Sequence, residues 1–374
     1  MIKALDTETS FFHNNPYDQT NEPAVCYSVA TDEMSGAYLW DTEAIQREID
    51  EADLIVGFNF KFDMGWLRKY GIKLAHKRFW DVQLAESVIS RQLWKFPSLG
   101  ETCTRYGLPK KIDVVQLEYW DKGIDTKDVP WPILEEYAAT DAKLTLACYH
   151  AQLKHLSPAQ IQLVKLMSMD SLVLQEMEMN GIKYDEQLCK VKEKELDDEI
   201  SKIESQLKAI YPQVPINFGS PDMLSAFLYG GQVVEPIKVH EGFFKTGARA
   251  GQPKYRNSEV LHTLPRLFTP IKGSELKKPG LYGTSEGVLK KLRPLDKKDK
   301  YIIDDLLRLA KLETLNSKYF KGLPALNREM NWPKEKLHGN FNQTLAVSGR
   351  LSSNKPNQQN FASELQDIFI TELD

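Results

Sequence analysis

The sequence has few cysteines and no long apolar run. Its four cysteines lie far apart and form no CxxC pair, which argues against a zinc knuckle or a disulfide framework and suits a reducing cytoplasm. The N-terminus lacks the apolar core of a signal peptide, and no stretch approaches the roughly 18 apolar residues of a membrane span. The seven histidines form no metal-spaced cluster. We therefore expect a cytoplasmic protein with no membrane partner.

What is present suffices for sizeable cores, because 42% of the 374 residues are hydrophobic. This length predicts two to three domains. The formal net charge of −4 hides an asymmetry: residues 1–155 carry −7, whereas residues 238–300 carry +9. Such a basic block indicates contact with a polyanion, although a solvated, lysine-rich surface loop explains it equally well. Its glycines and prolines and its lack of long apolar runs predict an irregular insertion.

The order of secondary structure predicts an α/β domain followed by a mainly helical region. Residues 1–150 begin with short alternating strands and continue mainly with helices, a pattern typical of a mixed sheet covered by helices. Ser157 and Pro158 then begin a helix that ends at Gly181. A second long amphipathic helix follows, over about residues 188–210.

Four carboxylates and one tyrosine are candidates for a metal site. Asp6 and Glu8 lie two apart on a strand and share a face, Asp63 opens a helix after a buried strand, and Tyr137 and Asp141 lie one helical turn apart. Each has a commoner explanation alone: a solvated strand face, helix N-terminal charge or a surface pair beside a core tyrosine. Together, the carboxylates could hold two divalent cations about 4 Å apart for metal-assisted phosphodiester hydrolysis.

Three segments carry a family resemblance: DTET (6–9), NFKFD (59–63) and YAATD (137–141). They resemble, in order and in their strand and helix contexts, the three motifs of the tyrosine-containing DEDD class of proofreading 3′→5′ exonucleases. The resemblance implies an RNase H-like α/β domain that uses two divalent cations, Mg²⁺ or Mn²⁺. It also implies a single-stranded 3′ end of DNA as the substrate.

The resemblance assigns a role to each matching residue. Asp6 bridges both metal ions, Glu8 and Asp141 complete one metal site, and Asp63 supports the other. Tyr137 and Glu8 orient the attacking water. Asn59 contacts the single-stranded 3′ end, and Phe62 stands where some members have tyrosine.

The segment 338–361 is rich in side-chain amides and small hydroxyls around a single arginine. Such donors can grip the minor groove of a duplex without reading its sequence, although a polar loop is the commoner meaning of this composition. Within it, SGRLSSNKPNQQNF resembles the minor-groove segment of family A DNA polymerases. By motif, the residues that contact the primer–template are Arg350, Asn357, Gln359 and Asn360. Residues 174–185 and 216–231 resemble the thumb of that family, which places the basic block at the thumb tip, against duplex phosphates.

The resemblance divides the chain into three parts. Residues 1–155 form the exonuclease domain, residues 156–335 a mainly helical thumb with a basic insertion at about 232–283, and residues 336–374 a partial palm. The catalytic palm aspartates of the family lie in later motifs, and Asp367, Glu372 and Asp374 lack the strand-turn context of such residues. We therefore expect a second polypeptide to supply the fingers and catalytic palm.

Two other hypotheses stay open: a free-standing 3′→5′ DNA exonuclease, and a non-catalytic fragment of a polymerase that only binds DNA. The setting expected from the resemblance is the cytoplasm of a bacterial or phage-infected cell.

Overall fold

The structure is a computed structural model that describes residues 1–20, 24–93 and 96–371. Glu372 and Asp374, which the sequence excluded as palm carboxylates, lie outside the described residues. The chain forms two compact units: residues 1–186 together with the segment from Leu323 onward, and residues 187–322.

A five-stranded mixed sheet organises the first unit, as the sequence predicts. Its strands are β1 (Ile2–Glu8), β2 (Cys26–Ala30), β3 (Ser35–Leu39), β4 (Leu54–Gly57) and β5 (Phe79–Asp81). Their order is β3-β2-β1-β4-β5. Strands β1, β2 and β3 pair antiparallel, whereas β4 runs parallel to both β1 and β5. The central strand β1 therefore ends between an antiparallel and a parallel neighbour.

Helices cover both faces of this sheet. They are α1 (Thr42–Glu51), α2 (Lys61–Lys69), α3 (Val82–Ile89), α4 (Leu99–Arg105), α5 (Val114–Glu118) and α6 (Trp131–Leu153). Ala4 packs into a core shared with α3, α4 and α6, whereas its neighbour Leu5 packs into a core shared with α1 and α2. Because side chains alternate along a strand, Asp6 and Glu8 share the α6 face with Ala4.

Helix α7 (Pro158–Asn180) also packs on the first unit, against α2, α3 and β5. A reciprocal capping box between Ser157 and Gln160 begins this helix, and Gly181 ends it at φ +64°. A Cβ atom on Gly181 would lie 2.7 Å from the carbonyl oxygen of Leu337, so both conformation and space require glycine there.

Short elements complete the first unit. They are β6 (Ile182–Tyr184), α12 (Gly322–Glu329), β9 (Lys336–Leu337), β10 (Asn340–Asn342), β11 (Ser352–Asn354) and β12 (Phe369–Ile370). Strands β12, β6 and β9 form a small sheet in that order, and β10 pairs antiparallel with β11. The pairing of β10 with β11 thus anchors the amide-rich segment 338–361.

The second unit is mainly helical, with one long ribbon. Its elements are α8 (Glu186–Lys208), α9 (Pro221–Tyr229), β7 (Gly231–Phe243), β8 (Pro253–Leu264), α10 (Glu286–Leu289) and α11 (Tyr301–Leu315). Residues of α8, α9 and α11 share one apolar core, which Val233 and Leu264 join from the base of the ribbon. In the described part of the chain, no helix is both long and apolar enough to cross a membrane.

The basic insertion is not irregular throughout. Strands β7 and β8 pair over their full length, with one bulge between His240 and Gly242. The sequence does not predict strands over residues 231–264, because charged residues and glycines interrupt the β-branched residues that favour strands, such as Val233, Ile237 and Val260. The stretch that follows, up to α10, contains no strand or helix among the described residues.

Candidate active site

Three carboxylates from two elements converge beside the end of β1. Asp6 and Glu8 project from the strand, and Asp141 projects from α6, which crosses that face of the sheet. Oxygen atoms of the three side chains lie within 4.8 Å of one another. Residues that are 135 positions apart in the sequence therefore form one acidic group, the carboxylate cluster Asp6–Glu8–Asp141.

Asp63 lies next to this cluster and is held by Thr7. Its Oδ1 atom accepts hydrogen bonds from the backbone N–H of Thr7 at 3.0 Å and from the Thr7 hydroxyl at 2.6 Å. Only 2% of Asp63 is exposed. Thr7, the residue between Asp6 and Glu8, thus fixes the fourth carboxylate although it was not singled out from the sequence.

Tyr137 lies one turn before Asp141 on α6, and only 4% of it is exposed. The amino group of Lys111 lies 4.7 Å from the centre of its ring and donates a hydrogen bond to Oδ2 of Asp141. Lys111 comes from the loop between α4 and α5, and sequence reasoning missed it. The sequence shows two adjacent lysines here in an otherwise acidic domain. This pattern does not indicate that either side chain points into the site.

Burial and mutual repulsion raise the pKa values of the carboxylates. Loss of hydration, followed by the charge of Asp141, raises the pKa of Asp6 to about 7. Burial and the nearby Asp6 raise the pKa values of Glu8 and Asp63 well above their ordinary values. Burial also raises the pKa of Asp141, although Lys111 opposes that shift. The site therefore concentrates more negative charge than its surroundings stabilise.

The same groups shift the pKa values of Lys111 and Tyr137. Burial disfavours the charged ammonium, but the contact with Asp141 and the charges of Asp6 and Glu8 outweigh this, so the pKa of Lys111 is raised. Burial, followed by the charges of Glu8 and Asp141, raises the pKa of Tyr137. Tyr137 therefore keeps its proton at neutral pH.

The donor set suits hard divalent cations. All four acidic side chains offer carboxylate oxygens, the ligands that such ions prefer. The Oδ1 atom of Asp141 is buried and has no hydrogen-bond partner among the described residues, although buried polar atoms normally have one. A cation at this place would satisfy that atom and offset the repulsion within the cluster.

The turn that precedes Asp63 is shaped by a carboxylate outside the cluster. Asn59 adopts φ +54°, a conformation that asparagine tolerates better than most residues. Asp81 accepts hydrogen bonds from the backbone N–H groups of Asn59 and Phe60, at 3.2 and 2.8 Å, while it also caps α3. A Cβ atom on Gly57 would lie 2.3 Å from the Phe60 ring, so glycine is required where β4 ends. Sequence reasoning did not single out Asp81, because its partners are 21 and 22 positions away.

The predicted minor-groove residues lie on one short, largely exposed segment. Arg350 precedes β11, and Asn357, Gln359 and Asn360 follow it around a single 3₁₀ turn. The side-chain oxygen of Asn357 accepts a hydrogen bond from the N–H of Gln359 at 3.2 Å, which fixes the turn. All four side chains are exposed, and their contact with DNA stays a prediction.

Two family models match separate parts of this chain. Residues 4–157 match the 3′-5′ exonuclease family model, so the mixed sheet with the carboxylate cluster is an exonuclease domain. Residues 258–371 match the model of DNA polymerase family A. Together, the two matches support the resemblance found in the motifs, which is to a family A DNA polymerase with an N-terminal 3′-5′ exonuclease domain.

Curated relatives match most of this chain. DNA polymerase I of Chloroflexus aurantiacus is 28% identical over 328 residues, which cover 84% of this chain and 30% of the relative. DNA polymerase I of Bacillus subtilis is 26% identical over 356 residues, which cover 92% of this chain and 34% of the relative. The chain thus spans about a third of the length of the curated relatives it matches.

A solved structure shares the fold. The POL domain of Pol1 from M. smegmatis, determined in complex with DNA primer-template and dNTP, matches with a TM-score of 0.66. The match covers 98% of this chain and 54% of that one, at 19% sequence identity. This likeness and the match to the exonuclease family confirm the expected fold class, an α/β exonuclease domain followed by a mainly helical region.

Proposed function

We propose that this chain removes nucleotides from the 3′ ends of DNA by metal-assisted hydrolysis and acts as a proofreading activity in DNA replication. The observation that carries the proposal is the carboxylate cluster Asp6–Glu8–Asp141, with oxygens within 4.8 Å and raised pKa values, in a domain of the exonuclease family. A buried group of like charges is disfavoured unless cations compensate it.

The proposed cofactor is a pair of divalent cations, Mg²⁺ or Mn²⁺. When bound, such ions stabilise the charge that develops on the phosphate and make water more nucleophilic. Asp6 would bridge the two ions, Glu8 and Asp141 would complete one site, and Asp63 would support the other. Thr7 holds Asp63 by two hydrogen bonds, and this fixes the carboxylate before any ion binds.

Tyr137 and Glu8 would orient the attacking water. Because the pKa of Tyr137 is raised, its hydroxyl acts as a hydrogen-bonding group and not as a general base at neutral pH. Attack at phosphorus breaks the bond to the 3′ oxygen, releases a nucleoside 5′-monophosphate and leaves a new 3′ hydroxyl. Asn59, at the turn before Asp63, would contact the single-stranded end.

The remaining parts of the chain would hold the duplex. We assign residues 156–335 to a thumb with a basic insertion at about 232–283, and residues 336–374 to the start of a palm. Arg350 and the three amide side chains at positions 357, 359 and 360 would contact the minor groove, supported by their exposure on one segment. The basic residues of 238–300 would lie against duplex phosphates.

The decisive experiment follows shortening of a 5′-labelled single-stranded oligonucleotide in Mg²⁺ and in Mn²⁺. We expect stepwise loss from the 3′ end by the wild type and no detectable loss with Asp6→Ala. Asp53→Ala removes an exposed carboxylate of the same domain and should leave activity unchanged. A folded wild type that is inactive with both ions, or an active Asp6→Ala variant, would refute the proposal and favour a protein that only binds DNA.

DNA synthesis is not proposed for these 374 residues, because no pair of palm aspartates could be assigned in their sequence. A second polypeptide with fingers and catalytic palm is our hypothesis for how synthesis would occur. It predicts no nucleotide incorporation by this chain alone and incorporation after co-expression with such a polypeptide. Incorporation by the chain alone would contradict it. The relatives are bacterial, which supports a bacterial or phage-infected cell as the setting.

A further inference from the structure

A partly buried ion pair connects the exonuclease domain to strand β10, which lies in the amide-rich segment 338–361. Lys61, two residues before Asp63, donates hydrogen bonds to Oε1 of Glu178, to Oδ1 of Asn340 and to the carbonyl oxygen of Phe341, at 2.5, 2.7 and 2.6 Å. An ammonium group has three N–H donors, so each of them is used. The side chain of Lys61 is 17% exposed and that of Glu178 is 6% exposed.

Both carboxylate oxygens of Glu178 accept further hydrogen bonds. Its Oε1 atom also accepts the backbone N–H of Phe341 at 2.7 Å, and its Oε2 atom accepts the hydroxyl of Tyr17 at 3.2 Å. One carboxylate therefore joins α2, the end of α7, the loop around residue 17 and strand β10. We call Lys61 and Glu178, with their contacts to residues 340 and 341, the Lys61–Glu178 bridge.

The bridge lies between two sets of residues that the proposed function requires. On one side, Lys61 stands between Asn59, whose turn Asp81 fixes, and Asp63, which Thr7 fixes. On the other side, β10 pairs with β11, which begins two residues after Arg350. The segment for the single-stranded end and the segment for the minor groove are thus joined through this ion pair.

Stability alone does not account for such a bridge. A buried ion pair contributes little or nothing compared with apolar residues of similar size, although removal of one partner is destabilising. A second ion pair, Arg68–Glu176, also joins α2 to α7, but its glutamate is 62% exposed. The described hydrogen bonds of Arg68 go to Leu172 and Glu176, both on α7, so this pair provides a natural control.

We propose that Lys61 and Glu178 are positioning residues that keep the strand-binding turn at Asn59 at a fixed place relative to β10 and β11. This inference rests on the proposed exonuclease function. Duplex that is held by the amide-rich segment would then deliver its unpaired 3′ end to the carboxylate cluster without a further adjustment of the protein. A short single strand, which does not reach the amide-rich segment, gains nothing from this alignment.

The test compares two substrates in Mg²⁺: a primer–template with an unpaired 3′ end and a short single-stranded oligonucleotide. For Lys61→Met and Glu178→Gln, we expect kcat/KM on the primer–template to fall about tenfold, the scale of a small misplacement of substrate. The double variant should lose no more than either single variant, because both substitutions break one connection. Activity on the short strand and affinity for Mn²⁺ should stay close to wild type.

Arg68→Met is the matched control and should leave both substrates unaffected. Hydrogen–deuterium exchange gives a readout without catalysis: Lys61→Met should raise exchange in residues 338–342, whereas Arg68→Met should not. Equal losses on both substrates, or unchanged values on both, would overturn the inference even though the wild type is active. An inactive wild type would instead refute the proposed function, and unchanged exchange in Lys61→Met would then refute the bridge separately.

Discussion

Asp6 lies at the centre of the repulsion within the carboxylate cluster, so its replacement by asparagine tests the electrostatics of the site directly. Burial and Asp141 raise its pKa from 3.8 to about 7 in the folded chain. At low pH both folded and unfolded states hold the proton. As the pH rises from about 4 to about 7, the unfolded state releases its proton first, and the folded state loses stability over that window.

The size of the effect follows from the shift. A difference of about three pH units corresponds to about 4 kcal/mol at neutral pH. This is an upper bound, because the four carboxylates share their protons and Lys111 already offsets part of the charge. We therefore expect metal-free Asp6→Asn to be more stable than wild type by about 1–3 kcal/mol above pH 7, and the gain should disappear toward pH 4.

The assay is urea unfolding in EDTA at acidic and at mildly alkaline pH, followed by tryptophan fluorescence. All seven tryptophans lie within residues 1–186 or after residue 322, so the signal reports on the unit that holds the site. Addition of Mg²⁺ should stabilise the wild type by linkage and stabilise the variant much less. The exposed Glu33, in the turn between β2 and β3, provides the control Glu33→Gln, which should show no such window.

A specific result would refute this reasoning. If Asp6→Asn is no more stable than the wild type in EDTA above pH 7, the cluster does not carry uncompensated charge. The same conclusion follows if the gain grows toward acidic pH, since the sign would then be opposite to that of a raised carboxyl pKa.

Three further predictions concern other parts of the chain. Lys111→Met removes a cation that competes with metal ions for the carboxylate of Asp141. Mn²⁺ should therefore bind about tenfold more tightly in calorimetric titrations. Unchanged or weaker binding would show that Lys111 does not compete. Affinity for primed DNA should fall steeply as the salt concentration rises. Replacement of both Lys245 and Arg249, in the loop between β7 and β8, by glutamine should reduce the slope of log affinity against log salt by about 1–2. An unchanged slope would show that this loop does not contact DNA. Gly181→Ala should lower the free energy of unfolding by about 1–3 kcal/mol more than Gly107→Ala. Both glycines have φ +64°, but only Gly181 has a backbone atom within 4 Å of the added carbon. Equal effects in urea unfolding would show that the structure relieves this close approach.

Local patterns predicted what lies within single elements. The alternation in β1 placed Asp6 and Glu8 on one face, and the helical spacing placed Tyr137 one turn before Asp141. The structure brings Asp6, Glu8 and Asp141 together, although their catalytic roles stay a prediction.

The features that the sequence did not reveal depend on contacts between distant segments. Lys111 enters the site from a loop with no periodic pattern, and Lys61 meets Glu178 across 117 positions. The β7–β8 ribbon was missed for a different reason. Its strands face solvent on both sides except at the base. Their sequences therefore show no alternation of apolar and polar residues from which strands could be predicted.

Asp81 shows that structural contacts and genetic screens can assign different residues to the same active site. This one carboxylate caps α3 and holds the turn at Asn59 through four backbone N–H groups. It touches none of the four carboxylates in the described contacts, and the proposed chemistry gives it no role. A genetic screen for strains that accumulate replication errors would nevertheless return Asp81 beside the metal ligands. A catalogue of such mutants therefore describes the scaffold of the exonuclease site as much as its chemistry.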